Sequence, residues 1–428
     1  MSGELQRTDS GMTKFIKSLT MTSTDRANEA NRGVIEYEPC DVGAFYKLGT
    51  GLKNCIVSGG SNQYRVSALV RYAENAINNN LPTIILHEGN KELENQMRYA
   101  FSSTGKYIEI NENNPCFEPF YKLNAMEITN QIFEAAPKEY DIKYSARYYI
   151  EGISEILTKK GKNLSFNMFS TCPHHLIFDK VDELRMNGII SDAEEQSIKS
   201  KLMMGQGENF KLDTYFSGFK LENDLILYGK NRMSRRPVNI ISAINNKNVV
   251  CIDVSSSANK LLINILISQL KLSLTKNFKY LLLIDSISIN ANEKYADYIK
   301  GITGKVNYMF SSEDFYSMTG GDDKIFSTLV GNSHINIVMS HSSANTAQKW
   351  SEVFGMYDKY ETSYSKTRGS TRRTPFSILS SPNVQSTVSV NEKREYIVKP
   401  EQIARMGVGE AYIAVSFIDE IAHLILKS

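Results

Sequence analysis

Four short apolar runs constrain this chain more than any other feature: NCIVSG at 54–59, PTIILHE at 82–88, NVVCIDVS at 248–255 and KYLLLIDS at 279–286. None alternates polar with apolar residues, so each reads as a strand buried on both faces, which implies a parallel sheet covered by helices. The intervening segments agree. SALVRYAENAINNN and ELENQMRYAFSST carry helical spacing, and YIEINENNP reads as a further short strand. Alternation of this kind predicts βαβ units and an α/β opening of the mononucleotide-binding type.

Between residues 126 and 237 the period changes. AMEITNQIFEAA, SARYYIEGISEILTKKG, HHLIFDKVDELRMNG and DAEEQSIKSKLMMGQG are helical patterns separated by Gly, Pro and Asn, which predicts an all-α insertion. Strand patterns resume with VNIISAI at 238–244, then NVVCIDVS, a helix over ANKLLINILISQLKLSLTK, and strands at KVNYMFSS, INIVMS and AYIAVS. Helices are expected near 322–330 and 343–354. The expected organisation is a polar arm over 1–33, an α/β domain over 34–125 and 238–428, and the all-α insertion over 126–237.

Composition narrows the function classes. The 428 residues carry 49 basic and 47 acidic side chains, a net charge of +2, so any nucleic acid or membrane partner must be met by a local patch. Two patches qualify: Lys230, Arg232, Arg235 and Arg236, and Lys366, Arg368, Arg372 and Arg373. With the whole chain nearly neutral, the ordinary reading of each is a solvated loop. The five cysteines are scattered without CxxC spacing, which suits reduced thiols in a cytoplasmic compartment. No signal peptide and no apolar run of membrane-spanning length is visible. The adjacent His174 and His175, and His334 and His341, lack Cys or carboxylate companions in sequence, so no metal is assigned. Trp350 falls on helical spacing and is expected in the core.

The chemistry-bearing corner is IVSGGSNQYRVSAL at 56–69, a strand, a glycine pair, a polar turn and a helix start near Val66. Gly59, Gly60, Ser61 and Asn62 would form a small N–H nest at a helix N-terminus. A phosphate loop needs GxxxxGK[ST]. Here Gln63 and Tyr64 precede Arg65 and Val66, where Lys and a metal-holding hydroxyl belong. Alone, the stretch is also an ordinary strand–turn–helix connection. Asp285, at the end of YLLLIDS, stands where a carboxylate would orient Mg²⁺, and Ser286 follows where a hydrolytic motor places Glu. A polar cap on a core strand is the competing reading.

Taken in order, further segments resemble the TraG/TraD group of type IV secretion and conjugation coupling proteins, which are additional-strand, RecA-like P-loop motor ATPases. The resemblance runs through the loop at 56–69, TIILHEGNKEL at 83–93, NNPCFEPFYKL at 113–123, YLLLIDS, the segment from Gly331 to Ser365, and REYIVKPEQIARMGVGEAYIAV at 394–415. It implies a RecA-like domain and an all-α domain that contacts DNA or substrate. It also implies partners among other secretion or conjugation ATPases, an intact paralogue, transferred DNA or protein, and further copies of the chain. Its place would be cytoplasmic, at the inner face of the membrane through partners.

The departures fall on the catalytic positions. Arg65 replaces the loop Lys and Val66 the Ser/Thr. The acidic residue of the turn after the second strand is shifted to His87 and Glu88. Ser286 replaces the second carboxylate, and Ser311 the sensing Gln. Such groups act as a unit and each loss costs orders of magnitude in rate. The expectation is a fold kept while hydrolysis was abandoned, with ATP and Mg²⁺ doubtful as cofactors. An active ATP-driven DNA translocase with an atypical loop, or a nucleic-acid-binding structural protein without nucleotide, are the alternatives.

Overall fold

In the computed structural model, which describes residues 34–36, 53–160, 166, 174–221, 236–255, 260–302, 304–371, 381–415 and 420–426, all four apolar runs are strands. The strands are β1 (Val34–Glu36), β2 (Cys55–Ser58), β3 (Thr83–His87), β4 (Tyr107–Ile110), β5 (Val249–Asp253) and β6 (Leu281–Asp285). They continue with β7 (Asn307–Ser312), β8 (Ile335–Val338), β9 (Met356–Thr371), β10 (Ser381–Tyr396), β11 (Glu410–Val415) and β12 (Glu420–Ile425). The chain divides into two compact units, Val42–Ser333, and His334–Ser428 with Met1–Asp41.

Within Val42–Ser333 the strand order is β2-β7-β6-β3-β5-β4, every pair parallel. Every residue of β2, β3, β5 and β6 is buried, as the unbroken apolar runs require. The mostly parallel sheet is flanked by helices, with β7 as an additional strand between β2 and β6. The register aligns Ser58 with Ser312, Ser311 with Asp285, and His87 with both Asp285 and Asp253. The polar ends of five strands therefore share one edge, the edge at which ligands bind in parallel sheets.

Helix α1 (Asn62–Asn78) follows β2 and α2 (Lys91–Phe101) follows β3. After β4 the described residues form α3 (Ala125–Ala135), α4 (Ala146–Lys160), α5 (Ile177–Met186), α6 (Asp192–Gly205) and α7 (Asn209–Leu221). The two ends of this stretch meet: Glu118 N donates to Val238 O (2.8 Å) and Val238 N to Cys116 O (3.0 Å). The expected strand VNIISAI is instead α8 (Ile240–Asn245). Asn239 and Ser242 form a reciprocal capping box, and Asn239 Nδ2 also reaches Pro119 O (3.2 Å) and Tyr121 O (2.8 Å). That local cap outweighs the β-branched composition. Helix α9 (Lys260–Thr275) then leads into β6.

In the other unit the order is β1-β12-β11-β8, with β1 parallel to β12 and the remaining pairs antiparallel. Trp350, on the helix Ala344–Phe354, is fully buried as expected. Strands β9 and β10 pair only with each other, from Met356 opposite Tyr396 to Thr371 opposite Ser381. This long hairpin is absent from the sequence reading because its Ser, Thr and Tyr residues favour strand but define no apolar face.

Helices α4 and α6 approach through glycine. A Cβ on Gly205 would lie 2.6 Å from Tyr149 Cβ and 2.8 Å from Ser145 O. Gly205→Ala is therefore expected to destabilise the fold by about 1–3 kcal/mol through overpacking, measured by urea unfolding. At the start of α6, hydrogen bonds from Lys159 and then from Ser191 hold the Glu194 carboxyl at about 2. A depressed carboxyl stabilises the fold above its ordinary range, and that contribution is lost as pH falls toward 2. Glu194→Gln should accordingly lower the melting temperature slightly at pH 7, with the gap to wild type closing as the medium is acidified.

Candidate functional site

The turn after β2 is tight because Gly59 (φ 87°) and Gly60 (φ 66°) both occupy the left-handed region. Helix α1 begins at Asn62, one turn earlier than the expected start near Val66, with Ser61 as an extended N-cap whose side chain makes no capping bond. Part of the donor set is already engaged: Gly59 N donates to Ser312 O (3.0 Å). Gln63 is exposed and Tyr64 half-buried. Val66 is 1% exposed and packs in the core, so position 66 presents nothing to a metal.

Arg65 is folded under the loop. It is 7% exposed, and its Nη1 donates to Gly60 O (2.6 Å) and Gly59 O (3.4 Å). Burial lowers its pKa, against the pull of Asp285, Glu313 and Glu92. A guanidinium held this way closes the turn on itself, whereas a phosphate-loop lysine must reach out of the turn toward the ligand.

Asp285 is 1% exposed and is held by an amide relay. Asn90 Nδ2 donates to Asp285 Oδ2 (2.7 Å) and to Asn62 Oδ1 (2.9 Å), while Asn62 Nδ2 donates to Glu92 Oε2 (2.6 Å). Asn90 also caps α2 by accepting from Leu93 N (3.1 Å). The first residue of α1, the cap of α2 and the end of β6 are thus one network. Ser286 adopts φ 60°, donates its N–H to Ser311 O (2.8 Å), and brings no carboxylate. Ser311 lies beside Asp285 in register, where the sensing residue was expected, with its hydroxyl buried and without a hydrogen-bond partner.

Of the shifted acidic pair, Glu88 is exposed and His87 fully buried. His87 Nδ1 accepts from Asn90 N (3.2 Å). Asp253, at the end of β5, accepts from Gly89 N and Ser255 N (both 3.0 Å) and from Lys91 Nζ (3.0 Å). The sequence reading passed over Asn90 and Asp253. The signal available for Asp253 was its run, VVCID, which ends in an acid as LLLID does.

Lys230, Arg232, Arg235, Arg372 and Arg373 lie outside the described residues. Arg236 is exposed and lines an open cleft of about 830 Å³ with Arg98 and Lys122. Lys366 and Arg368 fall on β9, opposite Ser386 and Val384 of β10.

Because Asn62 and Asn90 share donors and acceptors, Asn90→Ala is expected to cost about 2–4 kcal/mol, the sum of a lost cap and an unsatisfied buried carboxylate. Together with Asn62→Ala, it should show a coupling of roughly 0.5–3 kcal/mol in a double-mutant cycle followed by denaturant unfolding.

No curated protein matches the chain in sequence. Among solved structures, the bacterial conjugative coupling protein TrwBdeltaN70 in its unbound monoclinic form is similar at 16% identity, covering 87% of this chain and 85% of that one, with a TM-score of 0.48. The plasmid coupling protein TrwB with the non-hydrolysable ATP analogue ADPNP is similar at 15% identity, 99% and 94% coverage and a TM-score of 0.49. VirB4 of Thermoanaerobacter pseudethanolicus follows at 8% identity, 91% and 92% coverage and a TM-score of 0.46. The family described as the TraM recognition site of TraD and TraG matches residues 320–407. That match overlaps the segments from Gly331 to Ser365 and from Arg394 onward that carry the sequence resemblance.

Proposed function

We propose that this chain is a coupling-protein-like subunit of a conjugation or type IV secretion-like transfer apparatus, acting as a recruitment or assembly scaffold without turning over ATP. The observation that carries the reading is Arg65, whose guanidinium binds the carbonyls of Gly59 and Gly60 from inside the loop. The cation meant for the β- and γ-phosphates is committed to the protein's own backbone. Val66 offers no hydroxyl to Mg²⁺, and Ser286 is too weak a base to activate water. Asp285 is already held by Asn90. The residues at this corner therefore do not fit Mg-ATP as a resident cofactor.

Segment 320–407 would serve recruitment, since its family is named for TraM recognition in TraD and TraG. The paired strands β9 and β10 offer an extended surface there, with Val388 and Val390 58% and 57% exposed. In this reading the α3–α7 stretch meets transferred DNA or protein, and the α/β sheet is the platform for other secretion ATPases, an intact paralogue or further copies of the chain. No helix among the described residues is long and apolar enough to cross a membrane.

Titration of labelled ATP, with and without Mg²⁺, against wild type and an Arg65→Lys, Val66→Thr double variant tests the proposal. Wild type is expected to show no saturable Mg-dependent binding and no steady turnover. Steady Mg-ATP hydrolysis by wild type that Asp285→Ala abolishes would overturn it, and DNA stimulation of that rate would identify an active translocase instead.

A further inference from the structure

His87, Glu94 and Asp253 converge from the end of β3, the first turns of α2 and the end of β5. They are 0%, 4% and 6% exposed, and one imidazole nitrogen and two carboxylate oxygens lie within 4.8 Å of one another. His87 Nε2 is buried without a hydrogen-bond partner; its nearest acidic neighbour, Glu94 Oε1, is 3.7 Å away, too far for a hydrogen bond. Two buried carboxylates facing one another repel unless a cation or a shared proton lies between them. Lys91 supplies one, with Nζ 3.0 Å from Asp253 Oδ2 and 3.2 Å from Glu94 Oε2. Its side chain is 53% exposed, so the ammonium enters from the solvent side and is free to leave by it.

We propose that His87, Glu94 and Asp253 form a binding site for a divalent transition metal of the zinc class, with the Lys91 ammonium neutralising the carboxylates whenever the metal is absent. One imidazole and two carboxylates form a mixed N/O donor set suited to zinc, whereas Mg²⁺ and Ca²⁺ take oxygen ligands alone. The bonds around the two carboxylates fit: Asn111 Nδ2 donates to Glu94 Oε1 (3.0 Å), and Gly89 N and Ser255 N orient Asp253 Oδ1. With ligands about 2.1 Å from the ion, a tetrahedral site needs donor separations of roughly 3.3–3.5 Å, which small side-chain rotations supply. The proton balance is explicit. Because His87 Nδ1 accepts from Asn90 N, the imidazole proton sits on Nε2. On metal binding it moves to Nδ1 at the expense of that 3.2 Å bond, and Lys91 leaves still protonated while water takes the fourth position. The site is separate from the nucleotide question, since it uses neither the loop at Gly59 and Gly60 nor Asp285.

The full chain, stripped with chelator and dialysed, is titrated with Zn²⁺ alone by calorimetry and with Co²⁺ by visible absorption. One equivalent is expected to bind, with a tetrahedral Co²⁺ spectrum. Lys91→Ala should bind about tenfold or more tightly, the scale on which a neighbouring group moves a metal site. His87→Gln should lose the stoichiometric site. If His87→Gln does not fold, Lys91→Ala, a change at a half-exposed side chain, decides: absence of stoichiometric binding in both wild type and Lys91→Ala overturns the proposal. Unchanged affinity in folded His87→Gln overturns it equally.

Discussion

A strand buried on both faces has no room for polar side chains except at its ends, and this constraint organises the rest of the molecule. With β2, β7, β6, β3 and β5 parallel and in register, their polar termini collect on one edge: Ser58, Ser311 and Ser312, Asp285, His87 and Asp253. Parallel pairing is what concentrates them, because antiparallel neighbours would send alternate ends to opposite edges. The corner at Gly59 and the His87 cluster are two outcomes of the same geometry.

At the corner, shape and chemistry have parted. The left-handed glycines, the helix directed at the turn, the additional strand and the acid at the end of β6 are all present. Several groups of the corner are instead bonded within the chain, Arg65 Nη1 to loop carbonyls, Gly59 N to Ser312 O and Asp285 to Asn90. Hydrogen bonds between buried polar groups stabilise such a corner.

The strands were legible because unbroken apolar runs leave few alternatives, and so were the helical patterns from 125 to 207. Misreadings arose where composition gave no periodic signal or a local cap overrode it. VNIISAI has strand composition but becomes α8 because Asn239 and Ser242 cap each other. Asn62 to Arg65 read as a polar turn but form the first turn of α1, where polar residues meet no steric objection. The hairpin β9–β10 was invisible because a ribbon with no apolar face leaves no periodic signal. Of the site, the identities at 59–66 and at 285 were readable from motif spacing. Asn90 was not, since it acts across 195 residues; for Asp253 the acid ending its run was the only signal, its partner Lys91 lying 162 residues away.

Residue identity alone determined the parallel α/β class, the glycine turn, the loss of Lys and hydroxyl at Arg65 and Val66, and the missing carboxylate at Ser286. Those properties are local: they depend on what a side chain is and on its immediate neighbours. Tertiary structure alone decided that β7 enters between β2 and β6, that Arg65 turns back into its own loop, and that His87 meets Glu94 and Asp253. Strand order and side-chain direction are set by contacts between distant segments competing for the same buried space, and no spacing within one segment records who wins.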